Sequence, residues 1–475
     1  MTATLLSAST AGAGHGTPQF GSTTFIFAFL LVAMIACLAL EEKLHAKKSV
    51  IVGLFAVIGL LLAAAMGILP FGDVTLPNGH HITMPVFIPA IDWGVICLIV
   101  GSSIFVDVTS RSGLFTWIAI KLTKASTGDP LKLLWYYGLM TVVFSAVLNN
   151  VTAMIIVGSL TGVSLKKLGR MDKLLGFLII EGLLTNIGGL LTLISSVPNI
   201  IVGNAAGISF VKFFIVASPY VAVATVVTLL MGAKLFGIDR LVTEEEKKEA
   251  AFLVSGFDEN DRIESRGLFF FGAAMLLLFI LTIATVSVLP VVKLLGMSFV
   301  ALAFALIMLL CYKHEVAPFY KAVDWDLIIF FMALFVVINV MEHAHVLDLI
   351  GKGITMIIGD GKSSFGTGAL LVSSAVFSSV TDNIPLAAML AQILGAQGVE
   401  SSSALWWAVV FGANLGGNLT PIGSASTLVA VTIIHKYKLQ MSFGAFVKKA
   451  FPYAVVQIFM ATVYVLLLMK LLQAE

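Results

Sequence analysis

Charge is what this sequence has least of. Asp, Glu, Lys and Arg make up 11% of its 475 residues, against about 25% in a soluble domain. A soluble fold of this length could not coat its surface with so few charges, so much of the surface faces lipid. The formal net charge is +2, close to neutral, so nothing in the charge suggests nucleic acid and none is expected as a partner. Cysteine is nearly absent. Cys37, Cys97 and Cys311 all lie in apolar stretches and read as small buried hydrophobes, not as a disulfide framework or a metal site. Residues 1–21 hold no Lys or Arg, so the positive region of a signal peptide is missing. The first apolar run, 25–40, is expected to be a retained helix. A Walker-type loop is also missing, so direct use of ATP is not indicated. A separate ATPase subunit is left open, and no cofactor is expected.

What is present is apolar sequence, 59% of the chain. About 20 apolar residues cross a ~30 Å hydrocarbon core. Spanning helices are expected near 22–40, 49–70, 87–108, 212–237, 267–289, 294–312, 324–341 and 446–471. Four further segments, 133–165, 174–205, 364–396 and 404–434, are apolar but interrupted by polar, Gly- or Pro-bearing clusters. Irregular backbone at membrane depth survives only where protein or a water-filled cavity satisfies it, and such interruptions point to a transport site. The expected class is an all-α integral membrane protein of the inner or plasma membrane, with about ten to twelve membrane segments.

Lys and Arg in short loops set orientation. Lys43, Lys47 and Lys48, then Arg111 to Lys132, Lys166 to Lys173, and Lys313, Lys321, Lys436 and Lys438 are assigned to the cytoplasm, as is the charged loop 238–266. This places residues 1–21 outside. It makes 133–165 and 364–396 re-entrant hairpins, and 174–205 and 404–434 broken crossings.

An internal repeat agrees. Asp92-Trp93 answers Asp324-Trp325, and Asn149-Asn150-Val151 answers Asp382-Asn383-Ile384. Asn186-Ile187-Gly188-Gly189 answers Asn414-Leu415-Gly416-Gly417, and Thr192 answers Thr420. Each pair is about 230 residues apart. The charge bias gives the halves opposite topology, the inverted repeat that permits alternating access. The expected organisation is N-terminal helices over 1–86, a first repeat over 87–237, the charged loop 238–266, linking helices over 267–323 and a second repeat over 324–475.

Four clusters carry the candidate chemistry. Ser379, Thr381, Asp382 and Asn383 stand before Pro385. An ionised Asp at membrane depth is costly unless paired or hydrated, so Asp382 is a candidate proton or cation site. Its counterpart holds Asn149, Asn150 and Thr152; an amide there cannot titrate. Asn186, Gly188 and Gly189 with Ser195, Ser196 and Asn199 form the third cluster. Asn414, Gly416, Gly417, Asn418, Thr420, Gly423 and Ser424 form the fourth. Glycine lets backbone unwind and approach a ligand; freed carbonyls suit cations, and half-helix N-termini suit anions or neutral hydroxyls. Glu181, in an apolar run, is a second candidate proton carrier. Asp107 and Arg111 read as an interfacial helix end, Glu342 to His345 and His80-His81 as solvated loop.

These clusters resemble the ion transporter superfamily, in the branch of arsenite efflux permeases, NhaD-type sodium/proton antiporters and the P protein. The resemblance covers most of residues 90–470. It implies a homodimer, each protomer with a scaffold and a transport domain, and a substrate held between the hairpin tips and the broken helices. Where P-like members have Asp-Asn-Val-Thr and Gly-Asp-Pro-Pro-Asn, this chain has Asn149-Asn150-Val151-Thr152 and Ser195-Ser196-Val197-Pro198-Asn199; two acids are gone. Weaker acidity suits a neutral or anionic substrate. The expected function is a proton-motive-force-linked secondary transporter of a small inorganic solute, with arsenite or antimonite export leading. Sodium/proton antiport and di- or tricarboxylate transport are the alternatives. An enzyme is not expected.

Overall fold

The chain is described by a computed structural model covering residues 20–69, 73–75, 79–83, 87–359, 363–380 and 383–472. Two helices lead, α1 (Ser22–Ala39) and α2 (Lys48–Ala65). A small antiparallel hairpin pairs Asp73–Thr75 with His81–Thr83. Seven helices follow: α3 (Trp93–Arg111), α4 (Leu114–Ser126), α5 (Pro130–Val147), α6 (Asn150–Lys167), α7 (Leu174–Gly189), α8 (Val197–Ala205) and α9 (Phe210–Leu235). The charged loop carries α10 (Glu244–Ser255), begun by a Thr243/Glu246 capping box. The pattern then recurs. Two helices, α11 (Arg266–Thr285) and α12 (Pro290–Leu309, broken at Gly296 with φ 78°), lead. Seven more follow: α13 (Trp325–His343), α14 (Val346–Ile358), α15 (Ser364–Val380), α16 (Asn383–Ala396), α17 (Ala404–Gly416), α18 (Ala425–Lys436) and α19 (Phe443–Leu472). Eight helices among the described residues are long and apolar enough to cross a membrane.

The repeated Asp-Trp has a local cause. Asp92 accepts from the Val95 N–H at 3.1 Å and Asp324 from the Leu327 N–H at 3.0 Å, so each caps its helix. Trp93 Nε1 donates to Ile88 O and Trp325 Nε1 to Tyr320 O, tying the preceding turn to the cap. The α3 start is therefore Trp93, not residue 87; Phe87–Ala90 form a separate turn.

The expected hairpins and broken crossings are the pairs α5/α6, α15/α16, α7/α8 and α17/α18. Two helices were not anticipated. The 13-residue α4 and α14 each start after a left-handed residue, Gly113 (φ 83°) and His345 (φ 58°). At about 1.5 Å per residue neither can span, so hydropathy over a spanning window passes them by. The loop expected at Glu342 to His345 is largely helix end. His343 Nδ1 meets Asn339 O at 2.8 Å, and His345 pairs with Asp348 at 2.8 Å.

The leading helices cross over between halves. α2 packs along α13, and α12 along α3. Ser49 is hydrogen-bonded to Asp326 across the first of these contacts. In the second, backbone meets backbone: a Cβ at Gly101 would lie 2.6 Å from the Ala301 carbonyl carbon.

Candidate functional site

Each hairpin tip is gripped by the break of a neighbouring helix pair, and the grip is the same in both halves. Ser145 Oγ donates to Thr185 O at 2.6 Å, as Ser378 Oγ does to Ala413 O at 2.6 Å. Thr192 Oγ1 donates to Ala146 O and Thr420 Oγ1 to Ser379 O, both at 2.5 Å. The threonine hydroxyls satisfy carbonyls that the ends of α5 and α15 leave free, and the serine hydroxyls of those same helices reach carbonyls near the ends of α7 and α17. The glycines allow the approach: a Cβ at Gly188 would stand 2.6 Å from Val142 O, and one at Gly416 2.2 Å from Ala375 O.

Two buried amides then join the halves. Asn186 Nδ2 donates to Ser424 Oγ at 2.9 Å, and Ser196 Oγ donates to Asn414 Oδ1 at 2.7 Å. Each amide thus reaches the residue that precedes the other half's second half-helix. Asn186 also donates to Asn418 Oδ1 at 2.8 Å and accepts from Ser426 at 3.0 Å and Asn150 at 3.3 Å. Asn414 donates to Asn199 Oδ1 at 2.8 Å. Asn418 continues to Gln457 Oε1 at 2.8 Å, and Gln457 to Thr228 at 2.9 Å.

Around this junction lies a cavity of about 560 Å³. The N-terminal ends of four helices line it: Asn149 and Thr152 at α6, Ser196 and Val197 at α8, Asn383 and Ile384 at α16, Ser424 and Ala425 at α18. Asn149 Oδ1 accepts from the Thr152 N–H at 2.8 Å and Ser424 Oγ from the Thr427 N–H at 3.3 Å. A helix N-terminus carries roughly half a positive charge, so four of them make this wall of the cavity positive. Its other wall is Ser103, Asp107 and Ser110 of α3, with Lys321 and Asp324 before α13.

Of the expected site residues, Asn149, Asn150, Thr152, Asn186, Ser195, Ser196, Asn383 and Ser424 come together on the cavity. Asn199, Asn414, Asn418 and Thr420 lie behind it as buried supports. Gly188 and Gly416 are contact points, while Gly189 packs against the Asn150 amide and Gly417 against Gly423. Ser379 bonds its own turn at Val376 O. Thr381 and Asp382 lie outside the described residues. Glu181 is fully buried but on another face of α7, bonded to Thr161. The sequence reading missed Ser103, Ser110, Lys321 and Asp324. It also took Asp107 for an interfacial residue, though the side chain lines the cavity while Arg111 lies 4.3 Å over the Phe319 ring. Ser103, Asp107 and Ser110 recur at i, i+4 and i+7, a polar stripe on one face of a spanning helix. That spacing is the signal that could have found them.

A family model described as citrate transporter matches residues 29–412. The chain belongs to the citrate transporter family. It is a multi-pass membrane protein and a secondary transporter, not an enzyme, of the ion transporter superfamily. An uncharacterized transporter of Mycobacterium tuberculosis is 31% identical over 382 residues, 79% of this chain and 86% of the relative. The P protein of Sus scrofa is 26% identical over 487 residues, 87% of this chain and 57% of that protein. Among solved structures, the fold of this chain is similar to that of the YdaH transporter of Alcanivorax borkumensis, with TM-score 0.57 at 13% identity, covering 89% of this chain and 98% of that one. MtrF of Neisseria gonorrhoeae gives 0.51 at 12% identity, covering 95% of each.

Proposed function

We propose that this protein is a proton- or sodium-coupled carrier of a small di- or tricarboxylate, bound in the central cavity with its carboxylates at the N-termini of α6, α8, α16 and α18. The observation that carries this reading is the convergence of four helix N-termini on one space. Backbone N–H groups and helix dipoles there form a ready anion site, and Lys321 adds a formal positive charge on the opposite wall. The cavity volume lies within the ~300–1,000 Å³ typical of small-molecule sites. The description of the matching family as citrate transporters points the same way. Asp107 and Asp324 on the α3/α13 wall suit a coupling cation that enters beside the anion, and Asp382 remains the acid to test at the second hairpin tip.

Arsenite or antimonite export is the second reading. It is favoured by the uncharged amides and hydroxyls of Asn149, Asn150, Ser195, Ser196 and Ser424, which can hold a neutral triol without a counter-charge. The mycobacterial relatives support a place in a bacterial inner membrane, and the resemblance of the hairpin repeat supports a homodimer.

Thermal unfolding of the purified protein with citrate, succinate, arsenite, sodium or lithium is the test. Citrate or succinate is expected to raise the midpoint in a saturable way. Stabilisation by arsenite alone would replace the carboxylate reading with the second. Stabilisation by sodium or lithium alone, lost in Asp382→Asn, would replace both with cation/proton antiport.

A further inference from the structure

Below the α4–α6 bundle, on the side of the 238–266 loop, lies a second cavity of about 880 Å³, lined among others by Tyr137, Ser164, Lys167, Asp258 and Arg262. A polar path leads inward from it. The Tyr137 hydroxyl shares hydrogen bonds with Ser164 Oγ at 2.8 Å and Thr123 Oγ1 at 2.7 Å. One turn along α6 from Ser164, and so on the same face, Thr161 donates to Glu181 Oε1 at 2.5 Å. Glu181 is fully buried, and its Oε2 has no hydrogen-bond partner. Among the described residues no Lys, Arg or His pairs with it.

The second half shows that the fold does not require this path. Its helices occupy the equivalent places. Its outer polar pair persists, with Gln397 Nε2 donating to Thr355 Oγ1 at 3.1 Å. The positions of Tyr137, Thr161 and Glu181 are taken by Leu370, Leu394 and Val409, all buried. A buried carboxyl with one hydroxyl partner is an expense the packing alone does not explain.

We propose that Glu181 is a proton site separate from the substrate cavity, loaded from the loop-side cavity past Tyr137 and Ser164, with Thr161 as the last hydroxyl on the way. The proposal deepens the coupled-transport reading and rests on it for its role. A proton taken from water in the loop-side cavity ends on Oε2 and is released to water that reaches the α6/α7 contact from the substrate side; only O–H bonds are made and broken. The charged form and the sealed packing exclude one another, because an uncompensated buried carboxylate costs several kcal/mol. Losing the proton therefore requires the α6/α7 contact to admit water. α7 is also the helix that ends in Asn186, Gly188 and Gly189, so the proton is placed to bias the substrate-side break. Of the titratable groups on the helices packed against α7, Tyr137 stands on the proposed path. Tyr437, after α18, packs on Gly162 beside Thr161, and Tyr220 of α9 is engaged with Gln457 O. Tyr136 is half-exposed; the lysines of α5, α6, α9 and α18, and His435, stand exposed. Asp172 and Lys173, at the start of α7, pair with one another at 3.4 Å.

Infrared difference spectroscopy of the purified protein in lipid, between acid and alkaline buffer, reads the site without any substrate. A protonated-carboxyl band is expected in the wild type and is expected to vanish in Glu181→Gln, whose amide oxygen still accepts from Thr161. In proteoliposomes loaded with a pH-sensitive dye, citrate-driven proton movement should fall at least tenfold in Glu181→Gln while citrate binding stays within about twofold. Tyr137→Phe should keep the band and slow its appearance after a pH jump. A band unchanged in Glu181→Gln, or wild-type proton movement in that variant, overturns the proposal. If citrate neither binds nor moves in the wild type, the carboxylate reading falls and the infrared band alone decides for or against Glu181.

Discussion

The two halves share one set of bonds and differ in another. Both latch their hairpins with Ser145/Ser378 and Thr192/Thr420, and both send an amide, Asn186 or Asn414, across to the other half's Ser424 or Ser196. These bonds satisfy backbone and cap groups that the breaks leave open, so either half would fail without them. The unshared bonds are of another kind. Asn418, Gln457 and Thr228 form a buried chain where the pseudo-symmetric positions hold Leu190, Ala224 and Ala461. Tyr137, Thr161 and Glu181 face Leu370, Leu394 and Val409 in the same comparison. What the repeat conserves within this molecule holds the breaks. What it does not conserve is not demanded by packing, and is where coupling and selectivity can reside.

The largest effect is expected at the shared backbone contacts. Gly416→Ala brings a Cβ to 2.2 Å from Ala375 O, and Gly188→Ala to 2.6 Å from Val142 O. Overpacking of this kind costs about 1–3 kcal/mol or more, so both variants should lose several degrees of thermal midpoint, Gly416→Ala the more. An unchanged midpoint in either would mean that its hairpin does not seat where the shared geometry requires. Next come the amides. Asn186→Ala and Asn414→Ala should each cost about 1–3 kcal/mol by leaving buried partners unsatisfied. The loss should be larger for Asn186, which serves four side chains, than for Asn414. Equal losses in paired thermal melts would dissolve that part of the asymmetry.

The smallest effect is expected in the loop between the halves, which Lys121 and Lys124 of the first half anchor. Lys121, at 2.6 Å, and Lys124 bond Glu259 and hold its carboxyl down to about 2, against an ordinary value of 4.5. A carboxylate with a depressed folded value contributes stability that is present above its unfolded value and fades as pH falls through the folded one. The clamp should therefore stay closed from neutral pH to about pH 4.5 and release only below it. Proteolysis of the 238–266 loop should be flat over the upper range, and Glu259→Gln should raise the cleavage rate there only slightly. A rise in cleavage between pH 7 and 5 would place the loop's anchor elsewhere.

The sequence made the breaks legible because they demand unusual residues. Only Gly allows the approaches at 188 and 416, and only amides and hydroxyls can satisfy freed backbone in lipid, so the runs Asn186 to Gly189, Ser195 to Asn199 and Asn414 to Ser424 stand out against apolar surroundings. The wall of α3 was not legible in the same way. Ser103, Asp107 and Ser110 sit singly in an otherwise ordinary spanning helix, and Arg111 four residues after Asp107 invites a local ion pair as the whole explanation. The pair exists, at 3.8 Å, yet one carboxylate oxygen of Asp107 stays buried without a hydrogen-bond partner. The short α4 and α14 were hidden for another reason: their length fits neither a span nor a tight turn. The nine-helix pattern was hidden too, since α1/α2 and α11/α12 share position but no motif.

The crossed leading helices bear on how the molecule is made. α3 finds its backbone partner, around Ala301, about 200 residues after Gly101 has left the ribosome. At roughly 5–20 residues per second that is a wait of about 10–40 s. α2 waits longer still for α13. During that interval the small-residue face of α3 has only lipid, or an insertion factor, to rest against. Synthesis, not the finished fold, is the stage at which this protein is most exposed to misassembly, and a pause or truncation between the halves would strand the first one half-built.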